Sequence, residues 1–164
     1  MLPRGQPVLY SSRMGLRERL TEDMKAAMRA KNAPRLSTIR LMLDAVQKQD
    51  IATRTDISDD EALTVLARMI KQREESAATY DTGNRPELAK AEREEIVVIR
   101  EFMPKQMSAD EADAAVKAAI TATGAASMKD MGKVMAALKE RHSGQMDFAK
   151  ASAAVKDLLS APKS

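Results

Sequence analysis

The sequence predicts an all-α protein: an N-terminal four-helix unit followed by a C-terminal three-helix bundle. Three observations predict it. Ala, Leu, Met, Lys, Arg, Glu and Gln dominate the chain, and these side chains fit a helix at the least cost in freedom. Apolar residues recur at i, i+3, i+4 and i+7, and no stretch alternates with the period of two that a strand needs. Six Gly and six Pro fall almost entirely at the ends of these periodic stretches. With 44% apolar and 31% charged residues, the 164-residue chain is globular, long enough for one ordinary domain or two small ones. Aromatics are only 2%, so aliphatics and twelve Met must fill the core.

Residues 1–13 show no helical period and carry Arg4 and Arg13 without an acid. They lack both an apolar signal core and an Arg-rich amphipathic helix, and read as a disordered leader with Met14 opening the folded part. The first helix spans about Leu16 to Ala30, with Leu16, Leu20, Met24 and Met28 at i+4 spacing and Ala27 widening the stripe. Pro34 suits the first turn of a second helix, which carries Leu36, Ile39, Leu43 and Val46 with Met42 beside them. A polar loop follows through Ile57. Ser58-Asp-Asp-Glu61 is a capping box for a third helix through Leu63, Leu66, Ile70 and Ala77 to Tyr80. Gly83 is the natural C′ residue of the next turn, and a fourth helix from Pro86 buries Leu88, Ala91, Val98 and Phe102.

Pro104 disfavours helix at Met103, and Ser108-x-x-Glu111 caps a fresh start, so residues 102–111 form a hinge. The domains are therefore 14–103 and 104–160. Beyond the hinge, an Ala-rich helix from Ala109 to about Thr123 ends at Gly124. Ser127-Met-Lys-Asp130 offers a cap for a helix with Met131, Val134, Met135 and Leu138, which closes at His142-Ser-Gly144. Asp147 caps a last helix with Ala151, Val155, Leu158 and Leu159.

Net charge is +3, unevenly spread: +5 over residues 1–57, −4 over 58–101 and +2 over 102–164. There is no Cys, hence no disulfide, thiolate nucleophile or sulfur-ligated metal. No apolar run approaches the roughly 20 residues of a membrane span, so the default is a cytoplasmic protein with no membrane partner. No phosphate-cradling Gly-rich loop is present, and the sole His, His142, sits at a helix end where a protonated ring suits the dipole. Asp59, Asp60 and Glu61 are explained by capping, and Glu92, Glu94 and Glu95 by a solvated face. No catalytic residue, cofactor or metal site is expected.

Arg73 falls on the face of Leu66, Ile70 and Ala77, so it can point inward and form an interhelix ion pair with an acid such as Glu95, the reading preferred over ligand binding. Met128, Met131, Met135 and Met146 can fill core or line an adaptable peptide groove. Lys129 and Lys133 share a helical face at i+4, with Lys139 and Arg141 further along. Such residues can contact phosphate, giving salt-dependent affinity without base readout.

Five segments carry a resemblance: Ile39-Arg-Leu-Met-Leu, Lys71-Gln-Arg-Glu-Glu-Ser76, Gly83-x-Arg-x-x-Leu-Ala89, Phe102-Met-Pro-Lys-Gln-Met-Ser108 and Ser127-Met-Lys-Asp-Met-Gly-Lys-Val-Met135. In order and spacing they resemble the GatB/YqeY family over about Met14 to Leu159, which also supports Met14 as the start. The resemblance implies a C-terminal unit similar to the tail of the B subunit of the glutamine-dependent tRNA amidotransferase. Gly132-Lys-Val-Met135, Gly144 and Val155-Lys-Asp-Leu-Leu159 carry that likeness, while Ser143-Gly-Gln-Met-Asp-Phe-Ala departs from the tail's Gly- and Asn-rich loop. The family is associated with carbon–nitrogen ligation using glutamine as amide donor, and the tail with holding misacylated tRNA. The expectation is a non-catalytic accessory module that binds tRNA, not DNA, or a tRNA amidotransferase or other translation-related protein. Two alternatives stand beside it: a component of amidotransferase activity in a complex, and a protein–protein adaptor.

Overall fold

A computed structural model of the chain describes residues 14–161; the leader expected at residues 1–13 lies outside them. The described residues form seven α-helices and one 3-10 turn, with no strand. The helices are α1 (Leu16–Arg29), α2 (Ala33–Thr53), α3 (Asp59–Thr82), α4 (Pro86–Arg100), α5 (Ala109–Thr123), α6 (Met131–His142) and α7 (Phe148–Ser160). Two compact units result, the first ending at Met103 and the second beginning at Pro104.

In the N-terminal unit α1 packs on α2, α3 on α4, and α2 reaches both α3 and α4. Leu20, Ile39, Met42, Val46, Leu66, Ile99 and Phe102 form its buried centre. Ile57, placed by the sequence in a polar loop, is buried there too. The α1 stripe runs through Leu16, Leu20, Asp23 and Ala27, and Met28 stands half exposed. An i+3 step after Leu20 keeps the stripe straight along a 3.6-residue helix, whereas strict i+4 spacing drifts round to solvent.

Helix α4 buries Ala89, Ile96 and Ile99, while Leu88, Ala91 and Val97 face water. Ile96-Val-Val-Ile99 is apolar on two adjacent faces, so periodicity could not choose between them; packing against α3 does. At the α3–α4 turn Gly83 has φ −81°, and Asn84 takes the left-handed position at φ 58°. Asn84 and Arg85 N–H groups donate to Asp81 O (3.1 Å) and Tyr80 O (2.7 Å), a Schellman closure with Asn at C′.

Charged pairs tie the helices together. Arg17 donates to Asp50 Oδ2 (2.6 Å) and Ile57 O (3.2 Å), while the Ile57 N–H donates to Asp50 Oδ1 (2.8 Å). The α2–α3 loop is thus stapled to α1. Arg73 Nε donates to Glu95 Oε2 at 2.7 Å and its Nη1 to Met69 O at 3.2 Å. Arg93–Asp81 and Arg100–Glu74 extend this series along the α3–α4 hairpin.

These pairs set the response to acid. The Arg17 bond and then the Ile57 N–H hold the Asp50 carboxyl below its ordinary range, and the Arg93 bond does the same for Asp81. A carboxyl depressed in the folded state contributes stability that is full above its unfolded pKa, roughly 4, and is lost as pH falls through the folded value. Burial pushes Asp23 the other way, with opposite sign. Asp50→Asn is therefore expected to melt lower than the parent at neutral pH, with the gap closing between about pH 5 and pH 2. Thermal melts across that range check this; a constant gap would show that the Asp50 charge is not the linked group.

Candidate nucleic-acid interface

The C-terminal unit packs α5, α6 and α7 pairwise round Val116, Ala119, Val134, Leu138, Ala151 and Val155. Its helix ends are strongly punctuated. Ser108 Oγ accepts the Glu111 N–H (3.1 Å) and Glu111 Oε1 accepts the Ser108 N–H (3.2 Å), closing the capping box at α5. Gly124 ends α5 at φ 66°, where other residues are strained. Asp147 Oδ1 accepts the N–H groups of Ala149 and Lys150 at the start of α7.

The Ser127–Asp130 cap works differently from a plain helix start. Asp130 Oδ2 accepts from Ala126 (2.9 Å) and Ser127 (3.3 Å), winding Met128–Asp130 into a 3-10 turn, and α6 begins only at Met131. Lys129 lies in that turn and Lys133 in α6, so the pair does not share one helical face. Four residues in sequence make an i+4 step only on a continuous α-helix, and here the winding changes between them.

All four cations are exposed. At 100° per residue, Arg141 lies about 80° round α6 from Lys133, and Lys139 about 120° round the other way. The cations therefore spread over the unit rather than forming one stripe. Every ion pair among the described residues lies in the N-terminal unit. In the C-terminal unit three acids, Glu111, Asp130 and Asp147, serve backbone N–H groups instead. Those bonds draw Glu111 and Asp130 below the ordinary carboxyl range. None of Lys129, Lys133, Lys139 and Arg141 closes an ion pair, although Lys133 lies near enough to Asp130 to help hold its carboxyl down.

His142 Nδ1 lies 3.2 Å from Gln145 Oε1, a local contact across the α6–α7 turn, and no carboxylate partners it as a general base would require. No cluster of three or more His, Asp or Glu suited to a metal is present among the described residues. Met131, Met135 and Met146 pack on the small core, and Met128 is exposed. The groove that does form is elsewhere. Met107 N–H donates to Gln145 O (2.8 Å) and Gln106 to Gly144 O, pinning the segment before α5 to the α6–α7 turn. Beside it a hollow of about 370 Å³ opens between Met107 and Met146 over Val116 and Ala151. Sequence reading missed Met107 because the long-range bond that places it leaves no local pattern.

The YqeY-like protein family model matches residues 17–159, nearly the whole chain. The chain belongs to the YqeY-like family. Similar proteins include the yeast proteins named altered inheritance of mitochondria protein 41, mitochondrial. The one from Vanderwaltozyma polyspora is 32% identical over 85 residues, 51% of this chain and 46% of that protein. The one from Lachancea thermotolerans is 33% identical over 95 residues, 57% of this chain and 51% of that protein. This YqeY-like chain thus spans about half the length of the curated relatives it matches. No helix of its described residues is long and apolar enough to cross a membrane.

Proposed function

We propose that this YqeY-like protein is a non-catalytic accessory module that binds tRNA through its C-terminal unit. One observation supports the reading: Lys129, Lys133, Lys139 and Arg141 are exposed and none closes an ion pair, while three acids of that unit, Glu111, Asp130 and Asp147, are committed to helix caps. Lys129, Lys133, Lys139 and Arg141 are the phosphate contacts, and their spread suits a backbone that wraps rather than a single groove. Affinity is then electrostatic and steeply salt-dependent. The likeness of residues 132–135 and 155–159 to the amidotransferase tail points to tRNA as the RNA.

Replacing Lys129 and Lys133 together by Glu is expected to weaken tRNA binding about tenfold or more at low salt. The slope of log K against log salt should fall by about two. Filter binding across a salt series measures both, with circular dichroism to confirm an intact fold. Unchanged binding at low salt rejects the reading.

The hollow between Met107 and Met146 favours a second reading, a protein–protein adaptor, whose partner would stay bound after nuclease and in high salt. The family's association with carbon–nitrogen ligation leaves a role beside subunits that supply glutaminase and ATP sites. Glutamine-dependent amidation in a reconstituted mixture, with and without this chain, tests it; equal rates argue against it. The reading places the protein in the cytoplasm. The yeast relatives carry mitochondrial in their names, and a fluorescent fusion separates the two compartments.

A further inference from the structure

We propose that the outer face of α2 docks antiparallel on the same face of a second copy of this chain, about a two-fold axis level with Met42. The proposal concerns the N-terminal unit and does not rest on the tRNA reading. Ala33, Ser37, Arg40, Asp44, Gln47 and Ile51 follow one another at alternating steps of four and three residues, the spacing that keeps one helix face towards a partner helix. All six are exposed, and the helix buries the opposite side, Thr38, Ile39, Met42 and Val46. Ile51 is 70% exposed at the end of that face and Leu41 42% at its edge, so both are accessible to a partner.

The face is complementary to itself in shape and charge. The small side chains of Ala33 and Ser37 leave a shallow, open depression on the helix surface beside Leu36, Arg40, Leu41 and Asp44. In an antiparallel pair centred at Met42, residues equally far before and after that level face one another. Ile51, nine residues after the axis, comes to the depression at the partner's Ala33, nine residues before it. Arg40 meets the partner's Asp44.

Arg40 has no ion pair within its own chain, whereas Asp44 accepts Lys48 at 3.1 Å. Docking therefore extends an existing pair into a Lys48–Asp44–Arg40 series that symmetry repeats. One helix pair lies at the small end of stable interfaces, so the dimer is weak, with Kd on the order of 10–100 µM.

Sedimentation equilibrium of the full chain from micromolar to about 0.5 mM tests the proposal. The parent should pass from monomer to dimer over that range. Arg40→Asp and Asp44→Arg should each weaken self-association at least about tenfold, because each opposes like charges twice across the axis. An equimolar mixture of the two variants should recover the dimer, since opposite charges then meet at both contacts. Ile51→Ser should weaken it as well. All three sites are exposed, so the variants keep the fold, and circular dichroism verifies this. A parent that stays monomeric at the highest concentration overturns the proposal. So do single variants that dimerise like the parent, or a mixture no tighter than its components.

Discussion

Phe102→Ala is expected to destabilise the N-terminal unit by about 3–5 kcal/mol, a large part of what a domain of this size possesses. Phe102 follows the end of α4, yet it is only 2% exposed and belongs to the main core. Arg19 and Arg35 place their guanidinium carbons 5.5 and 6.0 Å from its ring centre. Arg35 is held in that position by Asp23 at 3.3 Å and by Glu101. Truncation therefore opens a cavity and also removes the aromatic face against which two cations are arranged. Phe102→Leu separates these effects: it restores most of the volume, so its residual loss, about 1 kcal/mol, reports the cation–ring part. Urea unfolding followed by circular dichroism measures both variants. A loss below about 1 kcal/mol for the Ala variant would show that the ring is not part of the core.

Leu138→Ala is expected to cost about 2–5 kcal/mol in the C-terminal unit, as much as a bundle this small holds in reserve. Leu138 is 1% exposed at the centre of a core otherwise made of Ala and Val. Its fully buried neighbours are too short to collapse into the space, so any relief must come from the longer side chains at the rim, such as Met131, Met135 and Phe148. Amide exchange in α5, α6 and α7 should accelerate to near the unprotected rate while α1 to α4 retain protection. Protection of α5–α7 at parent levels would overturn the packing argument.

Exposed cations and hinge residues differ in how far they could be read from the chain. The capping box at Ser108 and Glu111, the Gly124 stop and the Asp147 cap each need residues within four positions of one another, so their chemistry is written locally. The Arg73–Glu95 pair was visible as a charge on an apolar face. Lys129 and Lys133 were legible as cations but not as a surface, because the 3-10 winding of Met128–Asp130 breaks their helical register. The Arg17–Asp50–Ile57 staple left no signal, since its members lie 33 and 40 residues apart in sequence.

The residue pattern alone determined that this protein is helical, where most helices begin and end, and that helical continuity breaks between Phe102 and Ser108. Those outcomes follow from backbone donors, short polar side chains and Pro geometry acting over a single turn. Tertiary packing decided which face of α4 turned inward and that Asn84 rather than Gly83 took the left-handed position. It also brought Arg19 and Arg35 to within about 6 Å of the Phe102 ring centre and opened the hollow beside Met107. The reason is physical: a helix with apolar residues on adjacent faces has nearly equal energies for either choice, and only the shape of the partner helix separates them.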